Sequence, residues 1–351
     1  MTIDSGPVLI GPTKQGAGND RPLITIGVTT YDRPQLLRQC VDSILSQSYS
    51  NIEVIIGNDF VPEPVTFDSL GIKEDLRVRI VNHPKNIGAY NNNYYLLRVA
   101  SGELFTWLAD DDLMHPDFLE VAHEVVSKCD VNCVFTNYVA QADPCGSFPK
   151  KIAPVAPKVL SGAEFMAEYT SRRIKVIGNY GLFRRELFEK LGNVRRFGAG
   201  LPVYGDTFMP ILAASLGNVA YVDLDLVFLR THAGSRSASL DCIDDYSSAQ
   251  KDFLSEYDRC CREYLGGSEY QRQLVSMLQW FAADGWHVIG RRHSSVYQRV
   301  IEFFRYVIDT LAPRLPSSSR GSFGLTLVVM VMGDSLKYSA SRFLKVLKCR
   351  I

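Results

Sequence analysis

The 351-residue chain has no excess of charge of either sign, since 38 Lys and Arg balance 38 Asp and Glu. That balance removes the general attraction on which nucleic-acid binding depends, so no nucleic-acid partner is expected. Paired CxxC units and zinc-like His–Cys spacings are missing. The eight cysteines are scattered and read as reduced thiols used as small core residues. No uninterrupted apolar run reaches the roughly 18 residues that a membrane-crossing helix needs. The first twenty residues lack a basic start followed by an apolar run. Residues 1–21 are therefore expected to be a flexible arm rather than a signal peptide, on a chain that folds in a reducing cytoplasm. Neither GxGxxG nor GK[ST] occurs, which removes the dehydrogenase and P-loop readings.

Short apolar strands alternating with helical stretches are what the chain does contain. Leu23 to Thr30 is a β-rich run of the kind found in buried parallel strands. Asp32 and Pro34 look like helix-start residues, and Leu37, Cys40, Val41, Ile44 and Leu45 then recur at helical spacing. Ile52 to Gly57 and Val78 to Val81 are further strands, Ala89 to Ala100 is helical, and Leu104 to Leu108 is a fourth strand. Cys133 to Val139 follows as a strand, Ser161 to Glu164 as a helix-opening capping box, and Leu182 to Leu191 as a strand turning into a short helix. Val219 to Val222 and Leu226 to Leu229 are strand-like. The pattern predicts an α/β fold, a mostly parallel sheet covered by helices on both faces.

Ligands of such sheets bind beyond the carboxyl ends of the strands. Three of these ends carry polar residues: Thr30 to Asp32, Asn58-Asp59, and Asp110-Asp111-Asp112. They should converge on one crevice. Three adjacent carboxylates repel one another unless positive charge sits among them. A divalent cation with hard oxygen ligands, Mn²⁺ or Mg²⁺, would supply it and would in turn bind diphosphate oxygens. An acidic turn beside a helix dipole is the alternative reading.

Beyond about Ser235 the character changes to helical repeats, including Leu274, Met277, Leu278 and Phe281. The expected organisation is a sheet domain over 22–235, a helical extension over 236–312 and a basic tail over 313–351. The tail holds seven Lys and Arg against the single acid Asp334. Its spacing fits either a membrane-surface amphipathic helix or a helix packed on the core.

In order and spacing, several of these segments together resemble the family 2 glycosyltransferases of GT-A fold. They are Ile24 to Pro34, Leu36 to Gln47, Glu53 to Asp59, Asn86-Ile-Gly88, Ala100 to Glu103, Leu108 to Leu119, Leu182 to Phe188 and Arg230-Thr-His232. The resemblance covers roughly residues 22 to 235. It implies an inverting, metal-dependent transfer from a nucleoside-diphosphate sugar to a hydroxyl of a saccharide or lipid-linked acceptor, in the assembly of cell-surface polysaccharide. It places the protein in the cytoplasm, with the tail as a route to the membrane surface.

By the same resemblance Thr30, Tyr31, Asp59 and Asn86 would hold the nucleotide, and Asp110 would approach ribose or metal. Asp111 would lead the metal ligands with Asp112 beside it, while Arg230 and His232 would reach the diphosphate or the metal. Asp206 matches the place of the catalytic base that takes the acceptor's proton, and a helix-capping role is its simpler reading. Two positions depart from the family pattern: Ala109 and Gly205 stand where acids are usual. A sugar nucleotidyltransferase is one alternative, although its usual Gly-rich loop is missing after the first strand. A non-catalytic sugar-binding descendant of a transferase is the other.

Overall fold

The computed structural model describes residues 7–11, 21–142, 152, 155–191, 196–198, 204–232, 242–293 and 295–321, together with 323, 324, 326 and 327. Strand β1 (Val8–Ile10) is followed by β2 (Ile24–Thr30), α1 (Pro34–Leu45), β3 (Ile52–Asn58), α2 (Phe67–Leu70), β4 (Val78–Asn82), α3 (Ala89–Val99) and β5 (Leu104–Ala109). Then come β6 (Leu113–Met114), α4 (Phe118–Lys128), β7 (Cys133–Gln141), β8 (Lys158–Leu160), α5 (Gly162–Thr170), β9 (Leu182–Arg184), α6 (Glu186–Leu191), α7 (Gly205–Ser215) and β10 (Val219–Arg230). Pro34 occupies the first turn of α1, where its missing N–H costs nothing. Asp32 is not the cap; it holds a left-handed φ of 54° and turns the chain sharply from β2 towards α1. The capping box of α5 is formed, with Ser161 and Glu164 exchanging hydrogen bonds.

These strands form one sheet in the order β1-β4-β3-β2-β5-β9-β7-β10-β6, with β8 paired to β10. Strands β4, β3, β2 and β5 run parallel, as do β7 and β10, while β9 lies antiparallel between β5 and β7. The structure differs from the sequence expectation at two places. Val8–Ile10, within the stretch expected to be a flexible arm, pairs antiparallel with β4 as an edge strand. The two expected strands after Val219 are one, because β10 absorbs Asp223 to Asp225 in an irregular, bulged register against β7.

Alternation along each strand decides which helix it meets. Ile24, Ile26 and Val28 of β2 and Ile52, Val54 and Ile56 of β3 face a core shared with Leu37, Cys40, Val41 and Ile44 of α1. The opposite face meets α3, where Ile55, Val81 and Leu96 cluster. Gly57 lets α3 approach closely, since a Cβ there would stand 2.1 Å from Asn92 Oδ1.

One ion pair is buried in the sheet. Glu53 of β3 accepts from Arg79 Nη1 of β4 at 3.0 Å, Thr25 Oγ1 at 2.6 Å, Ser101 N at 2.8 Å and Ser101 Oγ at 3.0 Å. It thereby ties three strands to the turn that leads into β5.

The chain divides into two compact units, one of residues 1–196 and 205–233 and another of 197–204 and 234–351. The second unit contains α8 (Ile243–Leu265), α9 (Gly267–Arg292) and α10 (Val296–Tyr306), packed through Phe253, Tyr257, Phe281, Trp286 and Phe303. At its centre Tyr204 accepts from Gln250 Nε2 at 2.8 Å, and Tyr306 donates to Gln250 Oε1 at 2.6 Å. The basic tail beyond 327, like residues 1–6 and 12–20 of the expected arm, lies outside the described residues.

Removing one partner of a buried pair strands the other charge. Arg79→Met is therefore expected to lower stability by about 3–5 kcal/mol in urea unfolding. A loss below about 1 kcal/mol would show that the hydrogen bonds of Thr25 and Ser101 alone sustain Glu53.

Candidate active site

Strand register assembles the rim. In the parallel pairing of β2 with β3 and β5, Thr30 sits beside Asn58 and Thr29 beside Ala109. The residue after Asn58 and the residue after Ala109 therefore flank the end of β2. Asp59 N donates to Thr30 O at 3.1 Å, and Thr30 Oγ1 donates to Asp110 Oδ2 at 2.7 Å. After the triplet the chain doubles back: β6 pairs antiparallel with β10, Leu113 opposite Phe228, which brings Arg230 and His232 to the same place.

Each aspartate of the triplet is satisfied differently. Asp110 is buried and accepts from Thr30, from Tyr31 N at 3.3 Å and from Arg33 Nη1 at 3.2 Å. Burial is the main reason its carboxyl rises above the ordinary value, with the Thr30 bond opposing. Asp111 Oδ2 receives Arg33 Nη1 at 2.8 Å and lies 3.1 Å from His232 Nε2. Asp112 points inward, accepting from the Tyr180 hydroxyl and, at 2.8 Å, from Arg230 N. Burial first, and the neighbouring Asp111 charge second, push its carboxyl up to about 7.

The three acids do not face the rim alike. Asp112, expected beside Asp111 as a metal ligand, has both oxygens claimed by internal donors and is 2% exposed. Asp111 and His232 do meet. Among the described residues no third His, Cys, Asp or Glu converges with them. One carboxylate and one imidazole suit a Mg²⁺ or Mn²⁺ ion whose remaining positions are filled by phosphate oxygens and water, so the donor set fits such an ion.

Arg230 is nearly buried. Its Nη2 donates to Gln39 Oε1 at 2.7 Å, and its Nε is buried without a hydrogen-bond partner among the described residues. Such orphans call for explanation, and an anionic ligand at this rim would supply the acceptor.

The remaining candidates sit further along the rim. Asp59 is buried and fastens a turn, accepting from Ile87 N and Gly88 N, each at 2.7 Å. Asn86 is exposed on that turn and accepts from Gly88 N at 2.9 Å. Tyr31 is half exposed, and its ring meets Phe60 edge-on at 5.2 Å.

Asp206 has no contact with the triplet among the bonds of the described residues. It lies in the first turn of α7, where its Oδ1 accepts from Thr207 N at 2.8 Å. The residue keeps accessible surface, yet the protein around its carboxylate displaces enough water to raise its pKa. A short turn, Gly178–Tyr180, links it to the triplet. A Cβ on Gly178 would lie 1.7 Å from Asp206 O, so only glycine lets α7 pack here, and two residues on, Tyr180 holds Asp112.

Sequence reading gave Arg33 and Tyr180 no role. Arg33 stood inside the recognised turn, next to the acids' expected crevice. Tyr180 lies 68 residues from its partner Asp112, in a stretch without pattern, and only the fold reveals it.

Three of the histidines outside the site have structural partners. His83 Nε2 lies 3.1 Å from Asn92 Oδ1, His123 Nδ1 lies 3.1 Å from Arg21, and His293 bonds Glu302. The six cysteines among the described residues are free thiols.

Folding raises the Asp112 carboxyl from 3.8 to about 7. The stability this lends is full below about pH 4 and is lost as pH rises through about 7. Asp112→Asn, which cannot ionise, is expected to gain on wild type across that window in urea melts at stepped pH. A difference independent of pH would contradict a buried, protonated carboxyl.

Known proteins share this architecture. Residues 25–192 match the model of glycosyl transferase family 2. Glycosyltransferase GlyG of Streptococcus pneumoniae is 30% identical over 132 residues, covering 36% of this chain and 42% of that protein. The O-antigen biosynthesis protein RfbC of Myxococcus xanthus is 30% identical over 188 residues, covering 49% of this chain and 14% of that protein. The structure of S. aureus TarS in complex with UDP-GlcNAc superposes with a TM-score of 0.52 at 13% identity, over 76% of this chain and 83% of that one, which is a likeness of fold. The chain spans less than half the length of the curated relatives it matches first, from 18% to 42%. The family match contains the acidic triplet, Thr30, Tyr31, Asp59 and Asn86, and stops short of Asp206, Arg230 and His232. Over residues 25–192 the chain is thus similar to glycosyl transferase family 2, and its mostly parallel sheet with flanking helices has the GT-A fold.

Proposed function

We propose that the chain is an inverting glycosyltransferase that moves a sugar from a nucleoside-diphosphate donor to a hydroxyl of a saccharide or glycolipid, with Mn²⁺ or Mg²⁺ as cofactor. The observation that carries this reading is the meeting of Asp111, His232 and Arg33 at the carboxyl rim of the sheet, beside the orphaned Nε of Arg230. A divalent ion held by Asp111 and His232 would stabilise the charge that grows on the leaving diphosphate.

The chain's own groups do the rest. Arg230 offers a rigid cation to the diphosphate. Tyr31 with Phe60 gives the base an aromatic surface, and Thr30, Asp110, Asn86 and the turn fastened by Asp59 line the way to the ribose. Asp206 takes the proton of the attacking hydroxyl on the face of the sugar opposite the diphosphate, which is what inverts the anomeric centre. Its raised pKa brings the carboxylate nearer to that task.

Assembly of a surface polysaccharide is the setting we favour, at the cytoplasmic face of a membrane. The name of the Myxococcus relative supports it. So does an exposed apolar stripe on and just beyond α10, formed by Tyr297, Ile301, Phe304 and Ile308. Among the described residues no helix is long and apolar enough to cross a membrane, so contact through such a stripe would be peripheral.

Transfer assays with UDP-, GDP-, CDP- and dTDP-sugars, with and without Mn²⁺, test the proposal. One donor is expected to support metal-dependent transfer. Asp206→Asn should lower kcat by about 10²–10⁴-fold while leaving donor binding intact. The acid limb of the wild-type kcat/KM profile should lie above the ordinary carboxylate range, in line with the raised carboxyl. Donor binding without any transfer would favour the non-catalytic sugar-binding reading instead.

A further inference from the structure

Arg33 occupies the place that the acids reserve for positive charge. Its Nη1 stands 3.2 Å from Asp110 Oδ1 and 2.8 Å from Asp111 Oδ2. His232 Nε2 reaches that same Asp111 oxygen at 3.1 Å. One oxygen therefore serves both groups, and it is the oxygen that, with His232, would face a divalent ion. A guanidinium always carries its proton, so it cannot become a ligand, and its charge opposes that of an ion placed beside it.

The placement also allows withdrawal. The Arg33 side chain is 28% exposed, and it projects from the residue between the left-handed Asp32 and the first turn of α1. Its partial exposure leaves it room to move away from Asp111. Asp110 is anchored separately by Thr30 and Tyr31 N, so it remains as a tether that keeps the freed guanidinium at the rim.

We propose that Arg33 competes with the divalent ion for Asp111, and that on yielding it the guanidinium turns to donate to the donor's diphosphate. This rests on the metal–diphosphate reading above. Arg33 thus neutralises the acids first and the phosphates second. A planar fork of N–H donors matches phosphate geometry as it matches carboxylate, so one group can serve both in turn.

The consequence is a pair of effects of opposite sign. With the full chain, Mn²⁺ binding is titrated by electron paramagnetic resonance, and UDP binding by calorimetry at saturating Mn²⁺. Wild type, Arg33→Met and Arg33→Lys are compared, with circular dichroism melts confirming that each variant is folded. Arg33→Met should bind Mn²⁺ alone about tenfold more tightly, because a like charge is gone. It should bind UDP about tenfold more weakly, because a phosphate donor is gone. Arg33→Lys, which keeps the charge and loses the fork, should leave Mn²⁺ affinity near wild type and still weaken UDP binding.

A purely structural Arg33 would make both affinities fall together in Arg33→Met, and that result overturns the proposal. Mn²⁺ affinity equal in wild type and Arg33→Met also overturns it while leaving the metal reading intact. Tighter Mn²⁺ with unchanged UDP affinity removes the second half. Failure of every variant to bind Mn²⁺ even with UDP present would sink the metal reading and this proposal with it.

Discussion

Three adjacent carboxylates at one strand end repel one another, and the surrounding fold gives each a different set of partners, with Arg33 shared by the first two. Asp110 is held by a neighbouring strand, through Thr30 and Tyr31 N. Asp111 is left towards the rim and shares Arg33 and His232. Asp112 turns inward to Tyr180 and Arg230 N, and burial pushes its carboxyl up to about 7.

Strand pairing is what makes that division possible. Parallel register brings the ends of β2, β3 and β5 level, so Thr30, Asp59 and Asp110 are neighbours despite their distance in sequence. The two-residue strand β6 then pairs with the far end of β10, which carries Arg230 to Asp112 and His232 to Asp111. The Gly178–Tyr180 turn touches both sides of the chemistry. Gly178 receives the first turn of α7, which bears Asp206, and Tyr180 holds Asp112. One small piece of backbone thereby touches both the helix start that bears Asp206 and the innermost acid of the triplet.

Much of this was legible in the sequence because it depends on local pattern. Short apolar, β-rich runs marked β2, β3 and β5, helical spacing marked α1, and polar residues at three strand ends pointed to the crevice. Other features depend on pairing at long range and carry no local signal. The insertion of β9 antiparallel between β5 and β7 is one, and the pairing of Val8–Ile10 with β4 is another. The acids Asp223 and Asp225 made one bulged strand read as two. Likewise, the spacing of Asp110 to Asp112 foretold a need for positive charge but not that Arg33 would meet part of it. Nor could it show that Asp112 would point away from the rim, because that choice is made by Tyr180, a residue without a motif.

The central claim is that Asp111 and His232 together face a divalent ion bound to the donor's diphosphate. Electron spin-echo envelope modulation of Mn²⁺ in complex with the protein and UDP measures this directly, since it detects nitrogen and phosphorus nuclei close to the ion. The account predicts modulation from one imidazole nitrogen, lost in His232→Ala, together with phosphorus coupling from UDP. Phosphorus coupling without any histidine nitrogen, or nitrogen modulation that survives His232→Ala, would contradict it.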